Sequence, residues 1–149
     1  MSDIRESIEI DRTAEDVFAY LDEHERHKEW QDQIVSARVE SDGPIRVGTR
    51  VIETRRMPGG ERDFSYEITE HDPPRRSAFR VLNGPVRAKG VITVEPLGES
   101  RSRVTLELDF EGSGAGRLLL PVVRREARKQ VPKDQQKLKQ QLESGAASA

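Results

Sequence analysis

The sequence predicts an α+β fold in which a curved antiparallel sheet of about seven strands wraps around one long C-terminal helix. Between residues 34 and 110, polar and apolar residues alternate with the two-residue period of half-buried strands. After residue 116 the apolar residues follow helical spacing instead. A short strand and two short helical segments precede the sheet, so the periodicity changes twice along the chain.

The first strand is expected at residues 7–11, where polar and apolar residues alternate. Thr13 then suits the N-cap of a helix, because its hydroxyl can accept a hydrogen bond from a free backbone N–H two or three residues later. Glu15 and Asp16 follow, where the helix dipole favours negative charge. The polar segment 24–30, which ends at the only tryptophan, predicts a second short helix or a turn.

Six further strands follow in tandem. They are predicted at residues 34–39, 47–57, 64–68, 78–82, 86–95 and 104–110, and short turns rich in glycine and proline separate most of them. Parallel strands need crossover connections of a dozen or more residues, and the chain has no room for them here. The strands therefore form an antiparallel meander.

The last helix should begin after a flexible glycine joint at residues 112–116 and run for roughly 26 residues, or about 39 Å. One apolar stripe faces the sheet, with Gln135 filling its only gap. Pro121 suits the first turn, whereas Pro132 removes one intrahelical hydrogen bond and predicts a kink near residues 128–131. The stripe consists of Leu120, Val123, Ala127, Val131, Leu138 and Leu142.

Composition narrows the classes of function. The 149 residues fit one domain, expected at 1–143 with a disordered tail at 144–149. There are no cysteines, so disulfides, thiolate metal sites and cysteine nucleophiles are excluded. The net charge of −2 provides no long-range field for nucleic acid. No signal peptide and no apolar run near 18 residues is visible, which predicts a cytoplasmic protein without stable membrane insertion.

The order of elements resembles the START-like superfamily, also called SRPBCC or helix-grip, over nearly the whole chain. The residues that carry this resemblance are 8–17 entering the first helix, Trp30, 47–49, 67–74 and 133–143. The chain is most similar to the branch labelled polyketide cyclase/dehydrase. Relatives often place an apolar residue at the position of Gln135, where this chain departs from the family pattern.

The resemblance implies a cavity between the concave sheet face and the long helix, occupied by a small hydrophobic ligand. Because aromatic residues are only 5% of the chain, side chains alone would not fill such an interior. A homodimer is compatible with this reading. The expected lining residues are Trp30, Val51, Glu53, Phe64, Tyr66, Phe79, Val81, Leu106, Phe110, Leu120, Val123 and Ala127.

Two of these residues carry chemistry, and the sequence leaves their roles open. If Glu53 faces the interior it is a buried carboxylate suited to general-base catalysis, and otherwise it pairs with surface arginines. The Tyr66 hydroxyl either enters the cavity and orients a ligand or reaches solvent or backbone. Trp30 is a cavity wall, a lid anchor or a packing residue.

The three histidines are predicted to be exposed, in charged segments or at a strand end. His24 and His27 are spaced to share a helix face, but no third metal ligand is evident, so neither metal binding nor catalysis is assigned to them or to His71. The glycines at 112–116 lack the lysine and hydroxyl residue of a phosphate-binding loop, and no cofactor is expected. The basic residues of the final helix are expected to form its solvated outer face.

Three functions remain open. The first is binding of a lipid, polyketide or aromatic metabolite. The alternative is a cyclase or dehydrase acting on an aromatic polyketide or a related ketone, with Glu53 or Tyr66 moving protons. The third is a regulatory module that binds a protein partner, which an exposed apolar patch far from the cavity would favour.

Overall fold

The computed structural model of the protein describes residues 2–57 and 59–145, and its elements follow the predicted order. Strand β1 (Ile4–Ile10), helix α1 (Ala14–Leu21) and a first 3-10 helix (His24–Glu29) come first. A second 3-10 helix (Gly114–Leu119) leads into helix α2 (Leu120–Glu143). Six strands lie between the first and the second 3-10 helix: β2 (Ile34–Val39), β3 (Arg50–Met57), β4 (Gly60–Asp72), β5 (Arg76–Val81), β6 (Val86–Pro96) and β7 (Ser102–Gly112).

The strands form one seven-stranded sheet in the order β1-β7-β6-β5-β4-β3-β2, and every neighbouring pair is antiparallel. The predicted meander and fold class are therefore confirmed. Thr13 caps α1 as expected, since its hydroxyl accepts a hydrogen bond from the Asp16 N–H at 3.1 Å. Strand β3 begins three residues later than predicted because 47–49 form a turn.

One row of residues crosses the sheet on the concave side. Ile68, Phe79, Gly90, Leu108 and Ile4 lie opposite one another on successive strands. A Cβ atom at Gly90 would lie 2.6 Å from the Phe79 ring and 2.9 Å from the Leu108 side chain. The missing side chain at Gly90 therefore lets the Phe79 ring lie across the middle of the sheet.

Helix α2 packs on the concave side with its C-terminal half. Val131, Gln135, Leu138 and Leu142 are its buried residues, and Leu138 and Leu142 join α1 and β6–β7 in the largest core cluster. The Gln135 amide donates to the backbone oxygen of Glu6 at 3.0 Å, so a polar residue on the stripe is satisfied by β1. Pro132 lies inside one continuous helix of 24 residues, and the predicted kink stays a prediction.

The predicted glycine joint is a packed segment rather than an open linker. Its first residue, Gly112, ends β7, and the Ser113 N–H donates to the Pro85 oxygen at 3.1 Å. A Cβ atom at Gly116 would lie 2.2 Å from the same oxygen. Glycine is thus required there by close backbone approach, which the hinge interpretation did not anticipate.

The C-terminus of α2 is described as far as residue 145. The Ser144 N–H donates to the Gln140 oxygen at 3.0 Å and closes the last helical turn. The sequence predicts a disordered tail at 144–149, and 146–149 of it lie outside the described residues. In the part of the chain that the structure describes, no helix combines the length and apolarity that a membrane span requires.

Candidate functional site

The predicted lining residues divide into two groups by burial. Trp30, Val51, Glu53 and Tyr66 are buried. The other eight keep part of their surface accessible, although all are apolar and the register places the sheet members on the concave side. We call these eight the inner apolar surface: Phe64, Phe79, Val81, Leu106 and Phe110 on the sheet, and Leu120, Val123 and Ala127 on α2.

Contacts join these residues at two places. Phe79, Leu106, Phe110 and Ala127 pack against a small cluster of Ile4, Leu108 and Val131. Phe79 and Val81 also pack against a separate cluster formed by Val51, Tyr66 and Ile68. The inner apolar surface therefore lies between two cores that do not merge. Trp30 belongs instead to the core cluster around α1.

The prediction that all three histidines are exposed is wrong. His24 and His27 are only 7% and 8% exposed, and their ring centroids are 4.6 Å apart. Residues three apart align in a 3-10 helix, so both rings point inward while Glu25 and Lys28 face solvent. The prediction was wrong because it judged the histidines by their charged neighbours in the sequence. Those neighbours lie on the solvent-facing side of the same short helix.

His24 meets the sheet at Tyr66. Its Nδ1 atom and the tyrosine hydroxyl are 2.6 Å apart, and the Tyr66 ring packs edge-on against Phe79 of the inner apolar surface. Burial, reinforced by the His27 and His71 rings, lowers the pKa of His24 to about 2. Burial, with the charge of Glu53 as a smaller cause, raises the pKa of Tyr66 well above its usual range. Both groups are therefore neutral at neutral pH.

His27 is held in one tautomer. Its Nε2 atom lies 2.7 Å from the Leu21 carbonyl oxygen, which can only accept, so Nε2 carries the proton. Burial lowers the pKa of His27, although the hydrogen bond to Leu21 opposes this. The ring is thus a neutral, fixed wall behind His24.

A β-bulge turns His71 inward. The pairing of β4 with β5 shifts between Ile68 and Glu70, so one residue is inserted and the strand faces exchange beyond it. His71 then reaches Asp22, with Nε2 2.8 Å from a carboxylate oxygen, and its ring lies 5.6 Å from that of Phe18. Burial raises the pKa of Asp22, although the His71 hydrogen bond acts against it.

Glu53 faces the interior, which decides one alternative that the sequence left open. It is 7% exposed and forms an ion pair with Arg55, whose Nε lies 2.9 Å from Oε1. The guanidinium also donates to the side-chain oxygens of Gln31 at 2.8 Å and Gln33 at 3.2 Å. The buried carboxylate is therefore compensated by a hydrogen-bonded cation rather than left free.

Two surface concavities lie elsewhere. One of about 330 Å³ is lined on the outer sheet face by Arg80, Lys89, Glu107 and Asp109 among others, and one of about 470 Å³ lies beside it near Arg87. Charges of both signs line them. Within residues 2–57 and 59–145, no group of three or more histidine and acidic side chains is placed to hold a metal ion.

Residues 1–144 match the sequence family described as polyketide cyclase / dehydrase and lipid transport. The chain belongs to this family. An uncharacterised 17.2 kDa protein of Streptomyces lincolnensis is 26% identical over 110 residues, which make up 74% of this chain and 69% of that protein. The predicted START-like resemblance, in its polyketide cyclase branch, is confirmed.

Solved structures share the fold of this family member. Zhui aromatase/cyclase of Streptomyces sp. R1128 is 18% identical with a TM-score of 0.78, covering 96% of this chain and 94% of its own. A START superfamily protein of Mycobacterium smegmatis is 14% identical with a TM-score of 0.77, covering 95% and 97%. The di-domain ARO/CYC BexL, from the BE-7585A biosynthetic pathway, is 19% identical with a TM-score of 0.78 over 96% of this chain. This chain spans 47% of that protein's length.

Sequence reasoning missed the histidines and the partner of Glu53. The spacing of His24 and His27 could have shown that they share a face, but not that the face is buried. The β4 bulge that reorients His71 leaves no mark in the alternation. Arg55 shares the strand face of Glu53, and that pairing was visible in the alternating pattern of β3.

The buried His24 predicts an acid-sensitive fold. Unfolded histidine binds a proton near pH 6.5, whereas folded His24 resists protonation down to about 2, so stability falls as pH decreases from 6.5. Replacing His24→Gln should reduce the slope of unfolding free energy against pH by about 1.4 kcal/mol per pH unit between roughly pH 5.5 and 4. Urea titrations at several pH values measure it. Lys28→Gln is the control, and an unchanged slope in His24→Gln contradicts the prediction.

The Glu53–Arg55 pair predicts a non-additive response. Arg55→Met leaves a buried carboxylate without its cation and should destabilise the fold by roughly 3 kcal/mol. The double variant Glu53→Gln, Arg55→Met removes both charges and should cost clearly less. Denaturant unfolding gives both values, and Arg56→Met, an exposed neighbour, should change stability by less than about 0.5 kcal/mol. Equal losses in the single and double variants would show that the charge is not the cause.

Proposed function

We propose that the chain binds a small, largely apolar molecule, such as a lipid, polyketide or aromatic metabolite, between the concave sheet face and the N-terminal half of α2. The observation that carries the proposal is the inner apolar surface. Its sheet residues lie on the concave face and its α2 residues on the predicted apolar stripe, yet none of the eight is fully buried. A completed core would have enclosed them.

The free energy for binding comes from this incomplete burial. Burying apolar surface stabilises a complex by about 25 cal/mol per Å². A ligand that fills the space would therefore bind by burying the apolar side chains that the fold leaves accessible. Val131 already packs against Leu108 and Ile4, whereas Leu120 and Val123, nearer the start of the helix, lie outside the core clusters. The accessible space is therefore expected under the first two turns of α2.

The neutral His24–Tyr66 pair is suited to orienting the ligand. Ligand sites commonly combine apolar walls with a few fixed polar groups. Tyr66 contacts Phe79, a wall residue, and its hydroxyl is already held by His24. A ligand carbonyl or hydroxyl near Phe79 would meet the uncharged His24–Tyr66 pair as donor or acceptor. The site therefore favours neutral ligands over charged ones.

A second candidate is a cyclase or dehydrase, and the interior position of Glu53 and Tyr66 favours it. In an aldol cyclisation, a methylene carbon loses a proton to a base and bonds to a ketone carbon, whose oxygen takes up a proton and becomes a hydroxyl. Dehydration then removes a second proton from the same methylene carbon and expels the hydroxyl, protonated again, as water, which leaves a carbon–carbon double bond. Tyr66 stays protonated because its pKa is raised by burial, so it is suited to donating to the developing oxyanion. One protein with the same fold, Zhui aromatase/cyclase, is named for a cyclisation of this kind.

Filling the inner apolar surface should abolish binding. Ala127→Trp places an indole in the proposed space, so the Kd for the neutral fluorescent probe 1-aminoanthracene should rise at least about tenfold. Gln136→Trp, on the exposed side of the same helix, is the matched control. Fluorescence titration and melting curves are measured together. Unchanged affinity in a folded Ala127→Trp protein contradicts the proposed location.

The enzymatic candidate has its own test. A synthetic poly-β-ketoacyl thioester should yield a cyclised product lighter by one water, detected by mass spectrometry. Tyr66→Phe should slow its formation by roughly 100-fold or more if Tyr66 stabilises the oxyanion. Tyr20→Phe is the control, since its hydroxyl is bound to Glu29 at 2.9 Å. No product above the buffer background, with probe binding intact, leaves ligand binding as the function.

A further inference from the structure

Three apolar side chains at the junction of the second 3-10 helix and α2 are exposed instead of joining a core: Leu118 and Leu119 end the 3-10 helix, and Val122 lies in the first turn of α2. Leu118 is 82% exposed, and Leu119 and Val122 are each 49% exposed. They lie off the stripe that faces the sheet, which uses Leu120 and Val123 instead. Exposed apolar residues that cluster within five positions, beside a proposed ligand site, indicate an interaction surface.

The surface continues as a basic helix face. From Val122, the exposed residues Arg125, Lys129 and Lys133 follow at three, seven and eleven positions, the spacing of one helix face. This face is opposite the buried residues Val131 and Leu138. Between residues 117 and 133 there are six basic residues and one acidic residue, although the whole chain has a net charge of −2.

These cations are not neutralised by the protein. Arg124 pairs with Asp3 at 3.1 Å, but within residues 2–57 and 59–145 no ion pair involves Arg117, Arg125, Lys129 or Lys133. We call Leu118, Leu119, Val122, Arg125, Lys129 and Lys133 the α2 docking face.

We propose that the α2 docking face binds reversibly to an anionic phospholipid bilayer. The three apolar side chains would enter the boundary between head groups and acyl chains, and the cations would contact the phosphates, as in peripheral amphipathic helices. The contact is peripheral, since no described helix is long and apolar enough to span a membrane. The sheet-facing stripe is not needed for this contact, so α2 can pack on the sheet and touch a bilayer at the same time.

The charge and composition of the α2 docking face favour a bilayer over a second copy of the chain and over nucleic acid. A second copy docking symmetrically through this face would place Arg125, Lys129 and Lys133 against the same residues, and like charges repel. Nucleic acid is disfavoured because residues 117–133 contain no aromatic side chain on which bases could stack. Anionic lipid satisfies both the cations and the apolar residues.

Vesicle co-sedimentation tests the proposal with the full chain. Large unilamellar vesicles made of phosphatidylcholine with about 30% phosphatidylglycerol, an anionic lipid, should bind the protein at low salt. Binding should fall at least about tenfold in 0.5 M salt and with pure phosphatidylcholine. The variant R125E/K129E/K133E and the variant L118S/L119S/V122S should each lose at least about tenfold in partition coefficient.

The matched control reverses three exposed arginines on other elements. R38E/R50E/R62E makes the same change in net charge and should keep most of the vesicle binding. Equal losses in the control and in R125E/K129E/K133E would overturn the proposal, as would absence of binding to anionic vesicles. A concentration-dependent dimer that L118S/L119S/V122S dissociates would also overturn it in favour of a second copy. Binding of 1-aminoanthracene is measured on the same variants, so failure of vesicle docking is distinguishable from failure of the ligand site.

Discussion

A single helix cannot cover a seven-stranded sheet. Neighbouring strands are spaced about 4.8 Å apart, so seven strands span roughly 29 Å, whereas a helix with its side chains is about 10–12 Å wide. Helix α2 packs mainly on β1 and β7 at one end of the sheet order, and α1 covers part of β6 and β7. The concave side toward β3–β5 must therefore be closed by something other than α2.

The first 3-10 helix supplies part of that closure, and it does so with polar rings. His24 lies against Tyr66 with His27 behind it, and the cost of burying both rings is limited because burial lowers the pKa of each histidine and keeps it neutral. Glu53 is the one carboxylate buried on the inner side of β3, and it has Arg55 beside it. The interior thus holds buried polar groups among the apolar residues of β3 and β4 but is apolar from Phe79 to Phe110, so its two ends differ in chemistry.

The sequence predicts the architecture well because periodicity records which side of each element is buried. The seven strands, the Thr13 cap and the stripe from Val131 to Leu142 all follow from local patterns. The site is predicted less well, since it depends on long-range placement. The alternation in β3 does not reveal which face is concave, and a single inserted residue in β4 reverses the direction of His71. Charged neighbours likewise conceal the burial of His24, because one short helix has both a wet and a dry side.

Gln135 has a role in the alignment of the molecule. A leucine at that position would pack equally well if α2 moved along its axis, because apolar contacts have little directionality. The amide instead has one defined acceptor, the Glu6 oxygen on β1, and it is almost completely buried. Sliding the helix by one turn, about 5.4 Å, would leave that amide unpaired away from water. Gln135 therefore favours one axial position of α2 relative to the sheet. That axial position also determines which part of the concave face lies opposite Leu120 and Val123.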